Sequence, residues 1–135
     1  AILNASFIFA ADLMREIELS AQISFVKLAS YVGTSSTGSV CEMIGLNVDI
    51  SRRDVVVVED IVDSGLTMKY VTEMLAKYNP RSISICTLLL KPGNLKVDLD
   101  IPYKCFSIPN DFILGYGLDY DGYGRNTRDI YTVVE

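Results

Sequence analysis

The sequence predicts an α/β fold with a Rossmann-like parallel β-sheet core flanked by helices, and three observations carry that expectation. Four consecutive β-branched residues, Val55 to Val58, read as a strand covered on both faces, as in the middle of a parallel sheet. Residues 66–78 repeat apolar side chains at helical spacing, and 82–90 form a second strand-like run. Strand 55–59, helix 66–78 and strand 82–90 make a βαβ unit, whose strands run parallel through a right-handed crossover. Half of the 135 residues are hydrophobic and 21% are charged, the balance of one globular domain.

Taken in order, Ala1 to Leu3 read as the last part of a buried strand and Asn4 to Ser6 as a turn with Ser6 as N-cap. Phe9, Leu13 and Ile17, with Ala10 and Met14, mark one broad face of a helix over 7–17. A mixed-face strand is expected over 23–31, a small-residue loop over 32–39 and a further strand over 40–48. Gly33 and Gly38 have Walker A spacing, but Ser39 stands where the phosphate-binding lysine is required. After a polar turn at 51–54 the central strand begins, and the charge of Glu59 and Asp60 ends its apolar run. In the helix over 66–78, Met68, Val71, Met74, Leu75 and Tyr78 face inward, and Asn79-Pro80 stops it. The strand over 82–90 ends at Lys91, on the same edge as Glu59 and Asp60. Residues 92–94 turn away, 103–107 form a short strand, 109–112 deliver Phe112 on a loop, and 129–134 close the sheet. The glycine pairs at 115/117 and 122/124 are not a dinucleotide fingerprint, since Tyr120 occupies the third glycine position.

Composition excludes several functions. A net charge of −5 provides no basic face for nucleic acid, so any phosphate is held by amides, metal and a few placed cations. The absence of histidine removes Ser-His and Cys-His nucleophile pairs and histidine-ligated zinc. Cys41, Cys86 and Cys105 are odd in number and widely spaced, which reads as buried, reduced and cytoplasmic. No apolar run approaches the roughly 20 residues of a membrane span.

The chemistry concentrates where the central strand ends. Ligands of open α/β sheets bind at the carboxyl ends of strands, and the first amides of the following helix lack internal partners. The amides of Ser64, Gly65 and Leu66, with the hydroxyls of Ser64 and Thr67, suit a phosphate monoester. Glu59, Asp60 and Asp63 repel a bare phosphate but suit a sugar phosphate carrying Mg²⁺. Helix capping by Asp63 or Ser64 accounts for one of these groups and not for three acids.

The stretch from Val57 to Thr67 resembles the PRPP-binding signature of type I phosphoribosyltransferases. The resemblance extends to the hypoxanthine-guanine members across essentially the whole chain. It implies the type I fold with a small hood subdomain, a single domain over 1–135, and an upstream segment preceding Ala1. It implies purine salvage: transfer of phosphoribose from PRPP to hypoxanthine, with guanine as second substrate, releasing pyrophosphate. By that resemblance Asp63 is the general base and, with Ser64, Gly65, Leu66 and Thr67, holds PRPP. Glu59 and Asp60 bind the ribose and Mg²⁺, and Asp119 binds a second Mg²⁺. Lys91 bonds the purine 6-oxo group, Phe112 stacks on the base, Ile113 reads its edge, and Asp119 belongs to the purine site as well. Leu3, Asn4, Ala5 and Arg125 meet pyrophosphate, while Ser30 and Tyr31 belong to a lid.

The chemistry asks for the same parts. Departure of pyrophosphate leaves positive charge on the ribose and negative charge on the leaving group, and without histidine a carboxylate such as Asp63 is the natural acceptor of the purine proton. A lid would exclude water from the electrophilic sugar. Ala5 stands where the family commonly has glycine, which makes a left-handed backbone there costly. The resemblance also implies a homodimer or homotetramer. The alternatives are a non-catalytic PRPP sensor of the same fold and a xanthine-preferring enzyme.

Overall fold

The computed structural model describes residues 1–32 and 39–134, with side chains described outside 30–41. The chain runs β1 (Ile2–Leu3), α1 (Phe7–Glu16), β2 (Val26–Val32), β3 (Ser39–Ile44), β4 (Asp54–Val62), α2 (Leu66–Ala76) and β5 (Ser82–Leu90). A single 3₁₀ turn (Pro92–Asn94), β6 (Tyr103–Ser107), β7 (Ile113–Leu114) and β8 (Tyr131–Thr132) follow.

The βαβ expectation holds: β4 and β5 pair in parallel from Asp54↔Ser82 to Val62↔Leu90, and β6 adds in parallel on the far side of β5. The parallel strands do not form one ladder. Among the described residues β4, β5 and β6 form one sheet, β1 pairs in parallel with β2 in another, and β3 runs antiparallel to β2. β1 lies beside β4 without joining its ladder.

Several element ends differ from expectation for identifiable reasons. β4 does not stop at Glu59 but continues to Val62, because Ile61 and Val62 still pair with Leu89 and Leu90. β2 begins at Val26, three residues late, and β3 ends at Ile44 because Gly45 turns the chain with φ 97°. α2 ends at Ala76, which leaves Tyr78 half exposed instead of facing inward. Ile17 likewise falls just past α1 and is exposed. Ser6 occupies the N-cap of α1 but caps nothing; its hydroxyl donates to the Ile2 carbonyl, tying the helix start to β1. The closing strand over 129–134 shrinks to β8, paired antiparallel with β7, a strand too short for periodicity to reveal. Cys86 is buried, as expected, whereas Cys105 on the uncovered strand β6 is exposed.

Two apolar clusters hold the β4/β5 pair. Met68, Val71 and Leu75 of α2 bury against Val57, Val62, Ile85 and Leu90. Phe9 of α1 packs with Cys86, Leu88, Leu89 and Leu118. Each fully buried aliphatic side chain contributes about 1.5–3 kcal/mol. The carboxyl ends of β4 and β5 are thus held rigidly side by side.

Candidate active site

Because Val62 and Leu90 are register partners, Asp63 and Lys91 leave the sheet at the same edge. The Lys91 ammonium lies 3.6 Å from Asp63 Oδ2, and the Lys91 amide donates to the Val62 carbonyl at 3.0 Å. Lys91 is buried and Asp63 exposed. A buried ammonium requires a partner, and among the described residues Asp63 is the carboxylate that supplies it.

The turn after Asp63 differs from the capping expectation. Neither Asp63 nor Ser64 is the N-cap of α2; Gly65 is, with φ 86°. A Cβ on Gly65 would stand 2.9 Å from side-chain atoms of Leu99 and Val97, so both conformation and space call for glycine. Ser64 Oγ accepts the Leu66 amide at 3.3 Å. Among the described residues the amides of Gly65 and Thr67 find no acceptor, and Leu66 and Thr67 are exposed. The first turn therefore leaves N–H groups unpaired at the positive end of the helix dipole. A cavity of about 420 Å³ adjoins it, lined by Asp63, Ser64, Gly93, Asn94, Leu95 and Lys96. A larger one, about 710 Å³, lies between α1 and the opposite end of β4 and contains none of these groups.

Glu59 and Asp60 sit inside β4, 6% and 9% exposed. The Asp60 amide donates to Glu59 Oε1 at 3.0 Å. Burial first, and then the adjoining Asp60 carboxylate, push the Glu59 carboxyl far above the usual carboxylate range. Two crowded carboxyls with hard oxygen donors fit a divalent cation such as Mg²⁺. Asp119 does not join them: among the described residues no trio of potential metal ligands converges.

Asp119 instead accepts the Gly122 amide on Oδ2 at 2.9 Å and pairs through Oδ1 with Arg125 at 3.4 Å. Arg125 also donates to the Gly117 carbonyl at 2.6 Å. Gly117, with φ 101°, lies against the candidate pyrophosphate loop, since a Cβ there would stand 2.4 Å from the Ala5 carbonyl oxygen. The Leu3–Asn4 peptide within that loop is cis, and Ala5 is not left-handed, so its methyl carries no conformational cost. The expected partners Leu3, Asn4, Ala5 and Arg125 are thereby drawn together, with Gly117 between them.

Phe112 is 60% exposed, and its ring meets that of Tyr120 edge-on at 5.7 Å and 89°. Ile113, half-buried, opens β7. Of the lid, Ser30 and Tyr31 lie in the backbone of β2 opposite Cys41 and Val40, while the loop over 33–38 falls outside the described residues. Sequence reasoning passed over Asn94, which donates to Asp63 Oδ1 at 2.8 Å and to Asn110 Oδ1 at 2.7 Å, and over Tyr120. Asparagine in a turn carries no signal beyond the turn itself.

The phosphoribosyl transferase domain family matches residues 1–121. The chain belongs to that family. Within it, the chain is 44% identical over 133 residues to a hypoxanthine-guanine phosphoribosyltransferase of Mycobacterium bovis, covering 98% of this chain and 66% of that one. It is 44% identical over 120 residues to a hypoxanthine phosphoribosyltransferase of Escherichia coli, covering 88% and 67%. The crystal structure of a Staphylococcus aureus hypoxanthine phosphoribosyltransferase superposes with TM-score 0.89 at 39% identity, covering 98% of this chain and 73% of that one. The type I phosphoribosyltransferase fold expected from the sequence is the fold observed. The chain spans about two thirds of the length of these curated relatives.

Proposed function

We propose that this phosphoribosyltransferase domain transfers the 5-phosphoribosyl group of PRPP to hypoxanthine, with guanine as second substrate, giving IMP or GMP and pyrophosphate in purine salvage. The observation that carries this is the pairing of Asp63 and Lys91, 3.6 Å apart, beside a turn with free amides. Ser64, Gly65, Leu66 and Thr67 hold the 5′-phosphate. Asp63 takes the imidazole proton of the purine as it attacks the ribose. The Lys91 ammonium donates to the 6-oxo group, and Phe112 stacks on the base with the Ile113 backbone at its edge. Leu3, Asn4 and Ala5, with Arg125, receive pyrophosphate, and Asp119 holds Arg125 in place.

Glu59 and Asp60 would hold Mg²⁺ and the ribose hydroxyls, with Asp119 at a second ion. Bound there, Mg²⁺ supplies charge neutralisation for the developing negative charge of pyrophosphate. The lid begins at Ser30 and Tyr31. The reading includes a cytoplasmic homodimer or homotetramer; exposed Tyr103 and Phe106 on β6 are apolar surface suited to association, and light scattering measures the state. Among the described residues no helix is long and apolar enough to cross a membrane.

The test is incubation with PRPP, Mg²⁺ and each of hypoxanthine, guanine, xanthine and adenine, following nucleotide formation. IMP and GMP are expected. Product from adenine alone contradicts the role of Lys91, xanthine as best substrate moves the specificity, and PRPP binding without product makes the domain a sensor.

A further inference from the structure

Asn94 stands at the site without a part in the proposed reaction. Asn94 closes the 3₁₀ turn after Lys91, and its Nδ2 donates both hydrogens: one to Asp63 Oδ1 at 2.8 Å, the other to Asn110 Oδ1 at 2.7 Å. The orientation of the amide is fixed by chemistry, because a carboxylate only accepts and a flipped amide would set oxygen against oxygen. Asp63 is thereby gripped on both oxygens, Oδ1 by Asn94 and Oδ2 by Lys91. Asn110 lies two residues before Phe112, so the same amide also tethers the loop that presents the stacking ring. Asn94 and Asp63 share the wall of the 420 Å³ cavity.

We propose that Asn94 is a positioning residue that fixes the Asp63 carboxylate for proton transfer and ties it in register with the loop carrying Phe112. The proposal rests on the assignment of Asp63 as general base. Asp63 is exposed, and the carboxyl of an exposed aspartate turns freely about its last bond unless something holds it. With Oδ1 occupied by Asn94, Oδ2 is the atom left toward Lys91 and the base that Lys91 bonds. Misplacement of such a group is costly in rate even where substrate binding survives. Asn110 has the complementary part: its loss frees the Phe112 loop but leaves Asp63 held.

The experiment compares Asn94→Ala, Asn94→Asp and Asn110→Ala with the wild-type chain in steady-state transfer to hypoxanthine, alongside thermal melting. Asn94→Ala should lower kcat about tenfold, the loss expected for one hydrogen bond to a charged group, with the KM for PRPP within about twofold. Asn94→Asp should lower kcat further, because it sets a second carboxylate against Asp63. Asn110→Ala should raise the purine KM about threefold with kcat within about twofold, the effect of one neutral hydrogen bond. Wild-type kcat in both Asn94 variants overturns the proposal. So does an equal loss in all three variants that tracks a fall in melting temperature, since that is a structural role only. An inactive wild-type chain overturns the functional reading itself, and with it this proposal; an active one with indifferent Asn94 variants overturns the proposal alone.

Discussion

The two ends of the β4/β5 pair carry similar charges and use them differently. At the amino end Asp54 is gripped by Arg81 through both carboxylate oxygens and by Ser82 at 2.7 Å, all three exposed to water. At the carboxyl end Glu59, Asp60 and Lys91 are buried, and Asp63 has one amide and one ammonium against it. The Asp54–Arg81 pair at the amino end is complete in itself and solvated. At the carboxyl end Glu59, Asp60 and Lys91 are crowded and desolvated beside a turn with free amides, which leaves interaction capacity for something brought from outside. Buried, crowded charge at a strand end points to function, and solvated, mutually paired charge to structure.

The largest expected effect lies at the carboxyl end. Asp63→Asn keeps shape but removes the proton acceptor, so kcat should fall about 10²–10⁴-fold with little change in PRPP affinity. Collapse of affinity with intact turnover at saturation would remove the base assignment. Lys91→Met keeps much of the buried stem and deletes the ammonium; the purine KM should rise about tenfold to a hundredfold, the range for a hydrogen bond from a charged group. Unchanged discrimination between hypoxanthine and adenine in this variant would show that Lys91 does not read the 6-oxo group. Phe112→Ala should raise the purine KM about fivefold, the low end of base–aromatic stacking because the ring is largely exposed. An altered KM for PRPP instead would place the ring elsewhere.

The smallest effect belongs to the amino end. Arg81, then Ser82, hold the Asp54 carboxyl below its usual range. A depressed folded value stabilises the protein above the unfolded pKa, about 3.9, and that stabilisation fades as pH falls below it. Asp54→Asn should therefore melt slightly earlier than wild type at neutral pH, match it in acid, and retain full activity. A loss of turnover would erase the contrast between the two ends.

Much of this was legible in the sequence because it depends on local pattern. The valine run, the helical spacing and the return strand specify β4, α2 and β5, and parallel pairing then forces Asp63 and Lys91 onto one edge. What pattern cannot show is where pairing ends. Ile61 and Val62 extend β4 past two acids because β5 offers partners, a tertiary fact. The ladder break between β1 and β4 and the two-residue pairing of β7 with β8 are equally non-local. Within the site, the resemblance supplied candidate roles, whereas Asn94 and Gly117 meet Asp63 and Ala5, residues distant in the chain, and Tyr120 meets the ring of Phe112.

The seating of Gly117 on the Ala5 carbonyl also bears on the order in which the candidate site assembles as the chain folds. Ala5 and Gly117 lie far apart in the chain, and contacts so far apart in sequence form late because long loops are entropically expensive to close. The Tyr116 hydroxyl, donating to Asp12 of α1, reinforces the same late closure. A folding chain can thus complete the β4/β5 pair before the segment at 115–125 folds back onto the loop at 3–5 and braces it.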